Sequence, residues 1–571
     1  MPLYEQYTGR NRDDFATLED LQKNYRLTWP EDFNFSYDCL DKLAADTPDA
    51  RAMVWVSADG DSREFTFAEI KRLTDKTANW FTAQGVVPGD FVMLVLGRAW
   101  QFWYGLLALH KIGAVAVPAT TLLTAKDYIY RFNAAGIKMV VATGDGGCPG
   151  YIDAALPECP TVQVKAAIRF TPADGWSQTP GRDGWLDFDA GVEAASDVYV
   201  RPEPHNKATD TMLMAFSSGT TGYPKMVCQD YTYPLGHILT GCFWHRCEEG
   251  GLHFTISDTG WLKSLWGKLY SQWLSGSAVF TYDFTRFSAP DILDKIAQYK
   301  VTTFCAPPTM YRYIIKEDLK KWDLSALRHA TTAGEALNPE VYASFFRQTG
   351  LKIFEGFGQS ETTVCCFTVA PWMQPRLGSM GLPCPGYRMI VCDDEGNEVG
   401  AGVTGEICIR TDEAGGGSPC GLFQGYYRDE ETTRKVWHDD LYHTGDTAYR
   451  DEMGFLWYVG RTDDIIKSSG YRIGPFEVES ALMEHAAVTE CAVTGVPDPD
   501  RGFVVKATVV LSAGYEGSDA LTKELQSHVK KATAPYKYPR VIEYVESLPK
   551  TISGKIRRLE IREKDAMTVN S

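Results

Sequence analysis

Met212-Leu213-Met214-Ala215-Phe216-Ser217-Ser218-Gly219-Thr220-Thr221-Gly222-Tyr223-Pro224-Lys225 passes from five apolar residues straight into hydroxyls and glycines. The apolar run has the length of a buried strand, so the chain leaves a sheet into a loop. Over Ser217 to Lys225 that loop carries four aliphatic hydroxyls, two glycines and one lysine. Glycine lets backbone N–H groups turn toward a ligand, hydroxyls add donors, and lysine brings a mobile charge suited to phosphate. The pattern differs from the Walker loop, because no Gly-Lys-Ser/Thr closes it and Pro224 precedes the lysine. A Ser/Thr/Gly loop is also an ordinary surface turn. Its neighbours along the chain decide between the two.

A chain of 571 residues is too long for one core, so two or more domains are expected. Its net charge of −17 argues against a general nucleic-acid or anionic-membrane binder, because it repels phosphate at long range. An anionic ligand must then be held by a local basic site. The fourteen cysteines are scattered, with no Cys-x-x-Cys; Cys365 and Cys366 are adjacent. They read as reduced thiols of a cytoplasmic protein. Met1 to Asp14 lack an apolar signal core and carry acids, so neither secretion nor organelle import is expected. No run approaches 18 apolar residues, so no membrane span is expected.

Residues up to about 50 read as a helical arm in which Trp29, Phe33 and Phe35 serve packing. From Pro88 the rhythm is βαβ: strand Phe91 to Leu96, amphipathic helix Ala99 to Lys111, strand Ala114 to Pro118, strand Lys138 to Ala142. This predicts a mainly parallel sheet with helices on both faces. Residues 143 to 207 are rich in Gly, Pro and Asp and read as a long surface excursion. Strands are expected over Val301 to Cys305, His329 to Thr332 and Leu351 to Glu355, and a helix over Pro308 to Lys321. Another helix starts at Asn338-Pro339-Glu340. Short strands over about 377–460 predict a β-rich subdomain. Beyond it, strands Val488 to Val496 and Val504 to Leu511 and a helix Asp519 to Ala532 predict a small α+β domain. Its last portion, 530–571, holds ten Lys/Arg against five Asp/Glu. The fold expected is therefore α/β and α+β: an N-terminal domain 1–462 and a C-terminal domain 463–571.

Six motifs together carry a resemblance: Ser217 to Lys225, Gly334-Glu335-Ala336, Gly358-Gln359-Ser360-Glu361-Thr362, Tyr442-His443-Thr444-Gly445-Asp446, Gly460-Arg461-Thr462-Asp463-Asp464 and Pro549-Lys550-Thr551-Ile552-Ser553-Gly554-Lys555. In this order they resemble the adenylate-forming (ANL) superfamily of acyl-CoA synthetases, luciferases and peptide-synthetase adenylation domains. Ser469-Gly470-Tyr471-Arg472 and Thr533 to Arg540 look like the medium-chain, AMP-forming acyl-CoA synthetase branch, and the resemblance runs from near residue 30 to the end.

The resemblance implies a ligase using ATP, Mg²⁺ and coenzyme A. A carboxylate attacks the α-phosphorus of ATP, and the CoA thiol then takes the acyl group from acyl-AMP. Ser217, Ser218, Gly219, Thr220, Thr221, Gly222 and Lys225 would hold the β- and γ-phosphates. Glu361 would bind Mg²⁺ with the hydroxyl of Thr220, and Thr362 would bond the α-phosphate. Gly334, Glu335, Ala336, Phe357, Gly358 and Gln359 would wall the adenine; Asp446 and Arg461 would take the ribose, with Ser360 and Arg472 in the same nucleotide set. Lys555 would stabilise the charge that grows in the first transition state. The C-terminal domain is implied to be mobile, turning about a hinge at Asp463 to bring Gly470 to a pantetheine tunnel. Ser469, Tyr471, Arg501, Lys530, Tyr538 and Arg540 would contact CoA.

Trp261, Lys263 and Trp266 are candidate walls of an acyl pocket, and either tryptophan reads equally as core. Their bulk favours short- or medium-chain, branched or aromatic acids. Lys263 could face CoA, solvent or a polar acid. Two further readings are an enzyme that loads a carrier protein and a nucleotide- or CoA-binding regulator without catalysis. No carrier site is fused here, and a binder without chemistry needs no set such as Glu361, Asp446 and Lys555.

Overall fold

The computed structural model describes residues 2–144, 147–168, 183–217, 223–335, 337–412, 417–468, 471–499, 501–550 and 556–569. Seven strands form one sheet in the order Leu186–Asp187, Val164–Ala167, Met139–Ala142, Phe91–Val95, Val115–Pro118, Thr211–Ser217, Lys225–Asp230. All neighbours run parallel except the last pair, a hairpin that places Ser217 opposite Lys225. A βαβ rhythm requires such a parallel arrangement, because each crossover helix returns the chain to the same sheet end. Two strands and the helices Cys148–Ala155 and Phe188–Ala194 lie inside 143–207. That segment is therefore partly sheet rather than a surface excursion; Val164–Ala167 and Leu186–Asp187 are too short for a periodic signal.

A second sheet has fourteen strands. Arg51–Ser57, Ala278–Asp283, Leu252–Thr255, Thr303–Cys305, His329–Thr332 and Ile353–Gly358 lie side by side and parallel. Beyond Ile353–Gly358 the pairing turns antiparallel through Val364–Phe367, Ser379–Pro383, Leu456–Arg461, Leu441–Arg450, Thr404–Arg410 and Met389–Cys392. The strands of 377–460 thus continue the larger sheet instead of forming a sheet of their own.

One core fills the space between the two sheets, shared by Met53 and Trp55 of the large sheet and Val92 and Leu94 of the small one. The helix Gln101–Ile112 runs through it with all twelve residues buried. It is not amphipathic, since it meets protein on every side. Lys111 is tolerated there because its ammonium donates to Asp75 at 2.6 Å and Asp41 at 2.7 Å. In the arm, Phe33 and Phe35 are fully buried, whereas Trp29 is 39 % exposed. The helix expected from Pro308 ends at Ile314, and a short 3-10 turn follows at Leu319–Lys321.

The C-terminal part has its own five-stranded sheet, built from Ile466–Ser468, Tyr471–Ile473, Val488–Asp498, Gly502–Leu511 and Val541–Tyr544. Helices Pro475–Met483 and Asp519–Ala532 close a separate core of Ile466, Val478, Leu482, Val493, Val505 and Leu525. Ser518 caps the second helix by accepting from Leu521 N. Thirteen of the fourteen cysteines are buried. Among the described residues no helix is long and apolar enough to cross a membrane.

Candidate active site

The strand ends Thr211–Ser217, His329–Thr332 and Ile353–Gly358 open onto one cavity of about 2200 Å³. Single-ligand pockets run to roughly 1,000 Å³, so this space suits several bound groups at once. Its walls include Ser217, Lys225, Gly334, Glu335 and Phe357 to Thr362 from the large lobe. Lys467, Arg472, Lys550, Ile556, Arg558 and Arg562 come from the C-terminal part. Ser218 to Gly222, Ala336, Ser469, Gly470 and Lys555 lie outside the described residues.

At one end the hairpin holds Ser217 and Lys225 across from each other. Lys225 Nζ donates to the Tyr426 hydroxyl at 3.5 Å, and that hydroxyl donates to Glu361 Oε1 at 2.9 Å. Burial pushes the Tyr426 phenol above its ordinary pKa, so it remains a donor. Nothing in the spacing around Tyr426 marks it in the sequence. Thr362 is 1 % exposed; its hydroxyl accepts from Gln359 N at 2.9 Å and donates to the Thr363 carbonyl at 2.8 Å. That hydroxyl is committed inside the loop. Ser360 is half-buried and lines the cavity.

Deeper along the wall, Asp446 is 6 % exposed and its carboxylate is held from three sides. Gln359 Nε2 donates to Oδ2 at 2.5 Å, Tyr458 donates to Oδ1 at 3.3 Å, and Arg461 Nη1 stands 3.4 Å from Oδ1. Tyr442 fixes the Gln359 amide by donating to Oε1 at 2.8 Å. Gly445 has φ +70°, a left-handed backbone that favours glycine, and a Cβ there would push the Arg461 guanidinium, which it would meet at 2.6 Å. Glu335 accepts from Thr309 Oγ1 at 2.9 Å with Arg312 at 3.7 Å. Tyr458, Thr309 and Arg312 were not legible as site residues. Arg472 lines the cavity and pairs with Asp394.

The apolar end is built on Trp261 and Trp266, both half-buried in the wall. Trp266 lies nearly parallel to His237, with centroids 6.1 Å apart, and tilts over Trp244 at 6.2 Å. Lys263 donates to the Ala333 carbonyl at 3.1 Å and stands 5.7 Å above Trp266, so it bridges the pocket wall to the Gly334 turn. Gly356 admits the Trp244 ring, which a Cβ would meet at 2.7 Å. Burial pushes neighbouring Glu355 up to about 8, while its Oε1 accepts from Leu337 N at 3.0 Å.

Of the residues expected to meet CoA, none of the described ones lines the cavity. Lys530 stands 3.9 Å over the Tyr538 ring, and Arg540 donates to the Tyr538 hydroxyl at 2.8 Å. Tyr471 stacks on Tyr536 at 4.1 Å, and Arg501 N donates to Asp498. Lys530, Tyr538 and Arg540 therefore form one basic, aromatic patch away from the pocket. Lys550 and Ile556 pair across an antiparallel bridge at the cavity rim, bracketing 551–555. The Asp463 region joins the two parts. Thr462 Oγ1 donates to the Gly445 carbonyl at 3.1 Å on the large lobe. Asp464 accepts from Arg562 at 2.5 Å on the C-terminal helix Arg558–Val569.

Residues 40–427 match the model of the AMP-binding enzyme family and 477–555 match the AMP-binding enzyme C-terminal domain. The chain is 40% identical over 563 residues to the mitochondrial acyl-coenzyme A synthetase ACSM5 of Homo sapiens, covering 96% of this chain and 93% of that protein. Among solved structures, the anthranilate CoA ligase AuaEII in complex with anthranoyl-AMP superposes with a TM-score of 0.84 at 27% identity, covering 95% of this chain and 99% of that one. The Brucella canis acyl-CoA synthetase is 31% identical with a TM-score of 0.71, covering 97% and 99%. The two family-model matches and the near full-length similarity agree: this chain belongs to the AMP-binding enzyme family.

Proposed function

We propose that this chain is an AMP-forming acyl-CoA synthetase acting on a short- or medium-chain, branched or aromatic carboxylic acid. The observation that carries the reading is one cavity with three chemically distinct regions. Lys225 with Ser217, the braced carboxylate of Asp446, and the tryptophan pair Trp261 and Trp266 all line it. A nucleotide polyphosphate, its ribose and an acyl group have these same three demands.

In the first half-reaction an anion must approach a tetra-anionic nucleotide, so neutralising charge is the main task. The glycine-rich loop and Lys225 would bind the β- and γ-phosphates. Tyr426 occupies one oxygen of Glu361, which leaves the second for a hard cation. Glu361 would hold Mg²⁺ there with Thr220, and the ion would supply neutralisation of phosphate charge. Ser360, rather than the internally bonded Thr362, would donate to the α-phosphate. Asp446 would accept the ribose hydroxyls, oriented by Gln359, Tyr458 and Arg461. Lys555, between the cavity-lining Lys550 and Ile556, would meet the carboxylate and α-phosphate oxygens.

In the second half-reaction the thiol needs a path. The basic patch of Lys530, Tyr538 and Arg540 lies off the cavity, so CoA binding at the acyl carbon would require the C-terminal domain 463–571 to turn. The anchoring of Thr462 to one body and Asp464 to the other confines that turn to Asp463, which supports it as the hinge. Gly470 would then leave room for pantetheine, flanked by Ser469 and Tyr471. We also propose a cytoplasmic location, although the relatives named above include a mitochondrial enzyme; fractionation of tagged protein tests it.

The test is a panel of carboxylates from acetate to dodecanoate, with branched and aromatic members, incubated with ATP, Mg²⁺ and CoA. Stoichiometric AMP and acyl-CoA from at least one member is expected. Pyrophosphate release without acyl-CoA would favour delivery to a carrier protein, and no AMP from any member would overturn the proposal.

A further inference from the structure

The sheet that carries Asp446 also holds a cluster that neither half-reaction uses. Met389–Cys392, Thr404–Arg410 and Leu441–Arg450 are adjacent antiparallel strands, and their ladders pair Cys392 with Glu406 and Cys408 with His443. Residues paired across a ladder share a face, and side chains alternate along each strand. Cys392, Glu406, Cys408 and His443 therefore stand on one face of the sheet. His443 Nδ1 lies 3.0 Å from Glu406 Oε2 and 3.5 Å from Cys408 Sγ, and one ligand atom from each of the three lies within 4.8 Å of the others. Cys408 is fully buried, while Glu406 and His443 line the nucleotide cavity.

A tetrahedral zinc ion bonds sulfur at about 2.3 Å and nitrogen or oxygen at about 2.0–2.2 Å, which sets ligand-to-ligand edges of roughly 3.3–3.6 Å. The 3.5 Å from His443 Nδ1 to Cys408 Sγ matches such an edge, and the 3.0 Å from His443 Nδ1 to Glu406 Oε2 is shorter and would open on binding. A single proton on Nδ1 serves one of its two neighbours well, whereas a cation serves carboxylate, thiolate and imidazole together. Among the described residues a second such group, the fully buried His245, Cys247 and His253, differs. Both His253 nitrogens are already bonded, to the hydroxyls of Thr303 and Thr255 at 2.7 and 2.8 Å.

We propose that Glu406 Oε2, Cys408 Sγ and His443 Nδ1 form a three-ligand site for a borderline-soft divalent cation of the zinc class. Its fourth position opens on the nucleotide cavity. Sulfur and imidazole ligands select against Mg²⁺, so the site is distinct from the hard-cation position at Glu361. Binding releases the Cys408 thiol proton to solvent. The second oxygen of Glu406 accepts from Gly445 N at 2.8 Å, so occupancy is coupled to the turn that presents Asp446.

The reduced, chelator-treated full chain is titrated with Co²⁺ alone and followed by near-ultraviolet thiolate-to-cobalt absorption. One equivalent should bind and generate the band. Cys408→Ser should abolish it, Glu406→Gln should weaken binding at least tenfold, and Cys420→Ser should leave it unchanged. If Cys408→Ser does not fold by far-ultraviolet circular dichroism, the Glu406→Gln titration decides alone. No band in the wild-type chain, a band retained in folded Cys408→Ser, or unweakened binding in Glu406→Gln would overturn the proposal. None of these readouts depends on ligase activity.

Discussion

At the scale of single residues, the loop Gly358 to Thr362 separates a structural hydroxyl from a chemical one. Thr362 is turned inward and satisfied by Gln359 N and the Thr363 carbonyl, so Thr362→Ala should cost about 1–2 kcal/mol of stability and little catalytic rate. Ser360→Ala should lower carboxylate-dependent pyrophosphate release by roughly 10²-fold with the melting temperature unchanged, the size seen when one transition-state donor is removed. Pyrophosphate exchange and thermal melting of the two variants check both; an inverse pattern would return the donor role to Thr362. Lys111 tests buried charge elsewhere. Its ammonium neutralises Asp75 and Asp41 inside the core, so Lys111→Met leaves Asp41 without its partner and Asp75 with Lys71 alone, and should lose about 3 kcal/mol in urea unfolding. A loss under 1 kcal/mol would show that the cluster is not held as drawn.

At the scale of elements, the strand Ile353–Gly358 is where the large sheet changes from parallel to antiparallel, and its end delivers Gln359 and Glu361 to the cavity. Within it, Glu355 is buried, which raises its folded pKa to about 8. The unfolded chain titrates it near the usual carboxylate value of about 4.3, so the folded state binds the extra proton between those limits. Stability contributed by this group is present at low pH and declines as pH rises from about 4.3 through 8. Glu355→Gln should flatten the difference in denaturant midpoint between pH 5 and pH 8; an equal difference in both proteins would remove Glu355 as its source. Strands of four or more apolar residues, the Asn338 cap and the helix Asp519–Ala532 were legible in the sequence, because each rests on local periodicity or a capping side chain. The helix Gln101–Ile112 was legible as a helix but read as amphipathic, and the strands Val164–Ala167 and Leu186–Asp187 were read as part of a surface excursion. Burial on all faces erases a helical stripe, and two- to four-residue strands carry none.

At the scale of the whole molecule, the motif residues that were legible are those whose type is constrained by chemistry: Lys225, Glu361, Asp446 and Arg461 all line the cavity. Their supports were not. Tyr426 lies 65 residues from Glu361, and Tyr458 sits on the neighbouring strand Leu456–Arg461, so it is the pairing of the fold that brings their hydroxyls to Glu361 and Asp446. The patch of Lys530, Tyr538 and Arg540 lies off the cavity, so its proposed CoA role requires movement of the C-terminal part. On that proposal Arg540→Ala should raise the KM for CoA about tenfold and leave that for ATP unchanged, since the phosphate contact would form only in the second half-reaction. Initial rates at varied CoA and ATP test this, and an unchanged CoA KM would take Arg540 out of the site.

One lysine serving only the first of two half-reactions is the claim on which the two-body account rests, and Lys555→Ala tests it most directly. The variant is assayed for carboxylate-dependent pyrophosphate release from ATP and, separately, for acyl-CoA formation from supplied acyl-AMP. The account predicts that the first falls by at least 10³-fold while the second stays within a few-fold of wild type. Equal loss in both assays, or undiminished pyrophosphate release, would contradict it.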